Sequence, residues 1–163
     1  MPHMKKRAIG LALLIGLQSI ACSSRAAAPA PAEPLVGVWR LQQQEIDGQR
    51  SNFQPLTLQI SQAGEKLTFA FSVPTQDIYV VTLRYTVRLD GSTGDIEDGN
   101  GQKVGSVQMN HAGARAYTLT MKGPNRPDAQ GKLTLADDKT LVSESAATQS
   151  GRTIHSTQTF SRD

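Results

Sequence analysis

His111 and His155 are the side chains best suited to acid–base or metal chemistry in the body of this chain, and neither has a companion at a useful spacing. A zinc site collects three or four ligands, commonly as His-x-x-x-His, Glu-x-x-His or paired cysteines. None of these patterns occurs, so both imidazoles read as solvated or hydrogen-bonded. The stretch Asp95-Ile96-Glu97-Asp98-Gly99-Asn100-Gly101 has the composition of a calcium loop, but its register fails. Glycine falls where the fifth-position ligand belongs, and no bidentate glutamate follows. It reads as a polar hairpin. Glu97-Asp98 and Asp137-Asp138 are adjacent carboxylates in turn-forming surroundings, where they read as solvated turn formers rather than as an acid and a base. Serines are abundant, but no Gly-x-Ser-x-Gly elbow is present. The expectation is a protein that is not an enzyme and needs no metal or cofactor.

Cys22 is the one cysteine, and its position predicts a different kind of chemistry. Lys5, Lys6 and Arg7 precede an apolar run over residues 8–17, too short for a permanent membrane-spanning helix and of the right length for a cleavable export signal. The small residues of Ser19-Ile20-Ala21 lead directly into Cys22. This resembles the lipobox of bacterial lipoproteins, in which the thiol is diacylglycerol-modified and becomes the first residue of the mature chain. Ser19 stands where leucine is usual, and cleavage by an ordinary signal peptidase around residues 25–28 is the alternative. Under the lipoprotein resemblance, Ser23 rather than aspartate after the cysteine implies sorting to the outer membrane, facing the periplasm. Without lipidation the protein is soluble in the periplasm or secreted. More than one acyl chain is needed for stable anchoring, and the lipid would be the only membrane attachment.

Charge separates the signal from the rest. The chain has 17 basic and 14 acidic residues. Three of the basic ones lie in the signal and none of the acidic ones does, so the remainder carries 14 of each. Its basic residues are scattered singly. Counterion release has too little to work with, and nucleic acid is excluded as a partner. With no cysteine after Cys22, an exported domain must be held by its core rather than by disulfides.

Three segments follow: a signal peptide over residues 1–21, Cys22 with an Ala/Pro-rich linker over 22–34, and one domain over 35–163. The linker has no apolar periodicity and favours extended polyproline conformations at about 3 Å per residue. A domain of about 130 residues suits one barrel or sandwich and is too small for two ordinary domains.

Alternation of apolar and polar residues dominates the domain. Leu56, Leu58 and Ile60 share one face, as do Leu67, Phe69, Phe71 and Val73. Over residues 79–89 Tyr79, Val81, Leu83, Tyr85, Val87 and Leu89 do the same. Weaker strands are expected over 104–109, 116–121, 132–135, 141–145 and 153–162. Turn formers such as Asp47-Gly48, Asp90-Gly91 and Ser150-Gly151 separate them. The longest polar loops are expected at residues 90–103 and 123–130. Short hairpin links throughout favour an all-β, antiparallel up-and-down barrel of eight or nine strands, with a β-sandwich as the alternative.

At the head of the domain, Gly37-Val38-Trp39 resembles the Gly-x-Trp signature of lipocalin-like barrels, and Arg162 lies near the end of the last strand. The resemblance implies that Gly37 turns the backbone into the first strand, that Trp39 plugs the closed end, and that Arg162 packs across its indole. It covers the whole domain in pattern and these two short ends in sequence.

What is left for function is the barrel interior. Leu58, Val81, Leu119 and the candidate ligand-binding residues Phe69, Phe71, Leu83, Tyr85, Tyr117 and Met121 are expected to point inward. A small barrel is either filled by such side chains or holds one small ligand. The polar tips of Tyr85 and Tyr117 suit a mostly apolar guest. The first functional reading is a cell-envelope protein carrying a small hydrophobic molecule. The alternative is an envelope protein–protein interaction module built on a filled barrel.

Overall fold

The computed structural model describes residues 31–163 except Asp77 and Asn125. The signal segment, Cys22 and the linker up to residue 30 lie outside the described residues. The described chain is all strand and turn: β1 (Gly37–Ile46), β2 (Gln49–Arg50), β3 (Thr57–Ala63), β4 (Lys66–Thr75), β5 (Ile78–Arg88), β6 (Gly94–Asp98), β7 (Lys103–Gly113), β8 (Ala116–Gly123), β9 (Arg126–Leu135), β10 (Thr140–Gln149) and β11 (Arg152–Ser161).

Every strand pairs antiparallel with its neighbours, and β11 returns to pair with β1. The result is a closed barrel. The two-residue β2 is only a flap on the end of β1, so ten strands make up the wall. Closure removes the free sheet edges on which chains aggregate. The Asp47-Gly48 and Ser150-Gly151 turns both hold two successive residues at positive φ, the geometry that matches the twist of a tight hairpin.

The wall has more strands than the eight or nine expected, and the difference is β6. Residues 94–98 read as part of a polar loop because Ile96 is the only apolar residue among acids. In the structure Ile96 is fully buried, while Glu97 lies opposite Arg84 of β5 and forms an ion pair with it. Asp98 closes the following turn by accepting hydrogen bonds from the backbone N–H groups of Asn100 and Gln102, each at 2.9 Å. Gly94 is required there, because a Cβ would collide with the carbonyl of Thr86. The second expected loop, 123–130, is shortened in the same way, since β9 already begins at Arg126.

A bulge corrects the expected face of β5. Phe71 lies opposite Leu83, but Ser72 lies opposite Val81, so Thr82 is the extra residue and its hydroxyl bonds to the carbonyl of Phe71. One inserted residue exchanges the faces beyond it. Val80 therefore takes the position opposite Val73, and Tyr79 stands 65% exposed at the hairpin tip instead of pointing inward.

The ends of the barrel differ. At one end Leu35, Trp39, Leu67, Val87, Tyr117 and Leu141 are fully buried and form a packed floor. At the other, the β4–β5 and β10–β11 hairpins run on past the core, and Ile78 is exposed.

Candidate functional site

The floor is built by the two ends of the domain. Gly37, at φ +151°, brings the chain into β1 so closely that a Cβ would stand 3.2 Å from an Arg162 guanidinium nitrogen. Trp39 is completely buried, and its indole N–H donates to the carbonyl of Leu35 at 2.9 Å. The Arg162 guanidinium carbon lies 4.4 Å from the centre of the Trp39 ring. Its N–H groups donate to the carbonyls of Asp138 at 2.6 Å and Val36 at 2.9 Å. The three barrel-end residues thus meet where β11 closes on β1.

A second cluster lies under the same floor. The Tyr117 hydroxyl donates to the Glu33 carboxylate at 2.6 Å, and His111 Nε2 lies 3.7 Å from its other oxygen. The Glu33 backbone N–H donates to the Gln62 side chain at 2.7 Å. Burial and the adjacent Glu33 carboxylate push the Tyr117 hydroxyl pKa up. Glu33, assigned from sequence to the linker, is therefore hydrogen-bonded to the folded unit.

Above the floor is a cavity of about 110 Å³. One side is apolar, made by Leu58, Phe69, Phe71, Tyr85, Leu119, Met121, Leu133 and Phe160. The Phe71 and Tyr85 rings are tilted together with centres 5.2 Å apart. The other side is polar: Ser143, Glu144 and Ser145 of β10 and Gln158 of β11, with Ser143 and Gln158 directly opposite each other in the ladder. Gln158 also reaches Gln44 of β1, its amide nitrogen 3.4 Å from the Gln44 side-chain oxygen.

Of the six residues expected to face a ligand, Phe69, Phe71, Tyr85 and Met121 line the cavity together. Leu83 packs against the core beside it without lining it. Tyr117 is in the floor, where its polar tip is taken by Glu33 rather than offered to a guest. Sequence reasoning missed Ser143, Ser145 and Gln158 because it followed apolar residues. The signal was one of phase: the serines fall two and four residues after buried Leu141, and Gln158 two before buried Phe160.

No protein-family model matches this sequence, and no curated protein matches it. Solved structures do match its fold. The zebrafish ileal bile acid-binding protein complexed with cholic acid superposes with a TM-score of 0.56 at 20% identity, covering 80% of this chain and 99% of the other. The S-type phycobiliprotein lyase CPES from Guillardia theta gives 0.52 at 14% identity, covering 80% and 89%. At such identities the likeness is one of architecture, the closed lipocalin-like antiparallel barrel.

Proposed function

We propose that this protein is a non-catalytic carrier of the cell envelope, tethered through a lipid on Cys22 and holding one small, mainly apolar molecule inside its barrel. The observation that carries the reading is the aromatic-walled cavity above an otherwise packed floor. Apolar pockets with a few convergent polar groups are the usual form of small-molecule sites. A ligand-binding barrel of similar architecture, the bile acid-binding protein, adds support, although a cavity of about 110 Å³ is too small for a molecule like cholic acid. A cavity of roughly 150 Å³ holds one benzene ring, so the guest here is at most of single-ring size and needs some give in the walls.

The entry of the chain also suits a tethered carrier: it meets the barrel through Glu33, under the floor, and leaves the cavity clear of that junction. Ser23 after Cys22 favours the outer membrane, with the domain in the periplasm. Native mass spectrometry of the protein purified after export, compared with its denatured mass, tests the reading. An added mass of one small molecule in the native state, together with acylation of Cys22, supports it. An empty barrel that excludes small aromatic probes and an unmodified Cys22 overturn it.

One observation favours a second reading, docking to another envelope protein. Ile78 and Tyr79, each 65% exposed, form an apolar tip on the β4–β5 hairpin. Replacing both with serine would abolish function on that reading and leave ligand capture unchanged.

A further inference from the structure

The cavity wall is divided by strand, and the division specifies the chemistry of the guest. Phe71, Tyr85 and Phe160 supply ring faces and edges on the apolar side. On the polar side Ser143, Ser145 and Gln158 supply hydroxyl and amide groups. No protein group among the described residues takes up either serine hydroxyl. Each can therefore donate to, or accept from, a guest.

Equally informative is the charge of this wall. Among the described residues no lysine, arginine or histidine lines the cavity. Glu144, between the two serines, is exposed but also belongs to the lining, so the lining's one charged residue is an acid; its register partner Lys132 on β9 is exposed and lies outside the lining. Arg84, beside Tyr85 on β5, is committed to Glu97. A carboxylate moved from water into this cavity would lose its hydration with no cation to replace it, a heavy penalty. A neutral hydroxyl or amide would exchange water for serine and glutamine partners at little net cost.

We infer that the cavity selects a neutral, single-ring aromatic molecule bearing a hydrogen-bonding substituent, of the phenol or aromatic-amide class, and rejects aromatic acids. The ring stacks among Phe71, Tyr85 and Phe160 while the substituent points at Ser143, Ser145 and Gln158. This inference rests on the carrier reading and narrows it, since it sets the guest apart from acids such as the cholic acid bound by the bile acid-binding protein.

Two isosteric probe pairs test it, titrated into the purified protein and followed by amide chemical shifts of β10 and β11. Phenol and toluene differ in the hydrogen-bonding group, benzamide and benzoate in charge. Phenol should bind at least as tightly as toluene despite its greater affinity for water, and benzamide at least tenfold more tightly than benzoate. In S143A/S145A, phenol should weaken about tenfold while toluene holds or improves, so toluene reports that the barrel is intact. Should the double variant not fold, S145A alone carries the same comparison. Benzoate equal to benzamide, or a phenol-to-toluene ratio unchanged by the serine variants, overturns the inference and leaves the carrier reading standing. Failure of all four probes to enter the barrel overturns both.

Discussion

Arg162 and Trp39, 123 positions apart in sequence, are stacked with the guanidinium carbon 4.4 Å from the ring centre, and this contact joins the last strand to the first at the barrel floor. The guanidinium also binds carbonyls on both sides of the seam, Val36 before β1 and Asp138 before β10. The seam closed by the β1–β11 ladder is thus also tied by one side chain that is planar, permanently charged and rich in donors, for which lysine is no substitute.

Arg162→Met keeps the stem and removes the stacked cation and its donors. It should destabilise the domain by about 1–3 kcal/mol, from the cation–π contact and the carbonyls left without partners. Urea unfolding checks this, with Trp39 as the only tryptophan and therefore the only indole signal. Arg162→Lys should recover less than half of the loss. A midpoint unchanged in Arg162→Met would show that strand pairing alone closes the seam.

Glu33 and Tyr117 pin the incoming chain beneath the floor, so a protein shortened to begin at Leu35 should lose about 1–3 kcal/mol for the unpaired, buried hydroxyl. Tyr117→Phe should cost no more than the truncation, and adding it to the truncation should cost little further, because the truncation has already removed its partner. The pH sign follows from the raised Tyr117 pKa. Its contribution is complete below the ordinary tyrosine pKa of about 10 and is lost as pH rises, because the unfolded chain ionises first. Alkaline unfolding that is equally steep in Tyr117→Phe would refute that assignment.

Much of this architecture was legible because its strands alternate strongly. Leu67, Phe69 and Phe71 mark a half-buried strand whatever surrounds them, and Asp47-Gly48 and Ser150-Gly151 demand their turns. Gly37, Trp39 and Arg162 were related through the resemblance to the Gly-x-Trp signature of lipocalin-like barrels, and they meet because a closed meander brings its first and last strands together. Three features were hidden for physical reasons. β6 has only Ile96 to bury, too little to establish a period. The Thr82 bulge depends on how β4 and β5 fit, which no single strand reveals. Ser143, Ser145 and Gln158 obey the inward phase but not the apolar pattern, and polar residues inside a barrel are silent in any reading that takes hydrophobicity as its guide.

Asp90 offers a local check on turn geometry. Its carboxylate accepts hydrogen bonds from the Ser92 hydroxyl at 2.6 Å and the Ser92 N–H at 2.9 Å. These, with the Arg88 guanidinium, lower its pKa to about 2. The turn is therefore favoured above the ordinary carboxylate pKa and weakens as pH falls toward 2. Carbon-detected NMR titration should show this midpoint, and Ser92→Ala should move it up toward the ordinary aspartate value. No movement would mean that the residue-92 N–H and Arg88 sustain the shift without the hydroxyl.

Met121 is the most direct handle on whether the barrel works by holding something. It lines the cavity from β8 and is only half buried, so a larger side chain has somewhere to go. In a filled core, an indole forced into that place would cost about 1–3 kcal/mol or more through displaced neighbours. Where space already exists, the added ring occupies it and stability changes by less than about 1 kcal/mol. Met121→Trp should therefore melt close to the parent protein while losing both the native-state ligand mass and the uptake of phenol. Retained binding would place the guest away from β8. A large drop in melting temperature would mean that the walls close on themselves, and the hairpin tip at Ile78 and Tyr79 would become the surface to pursue.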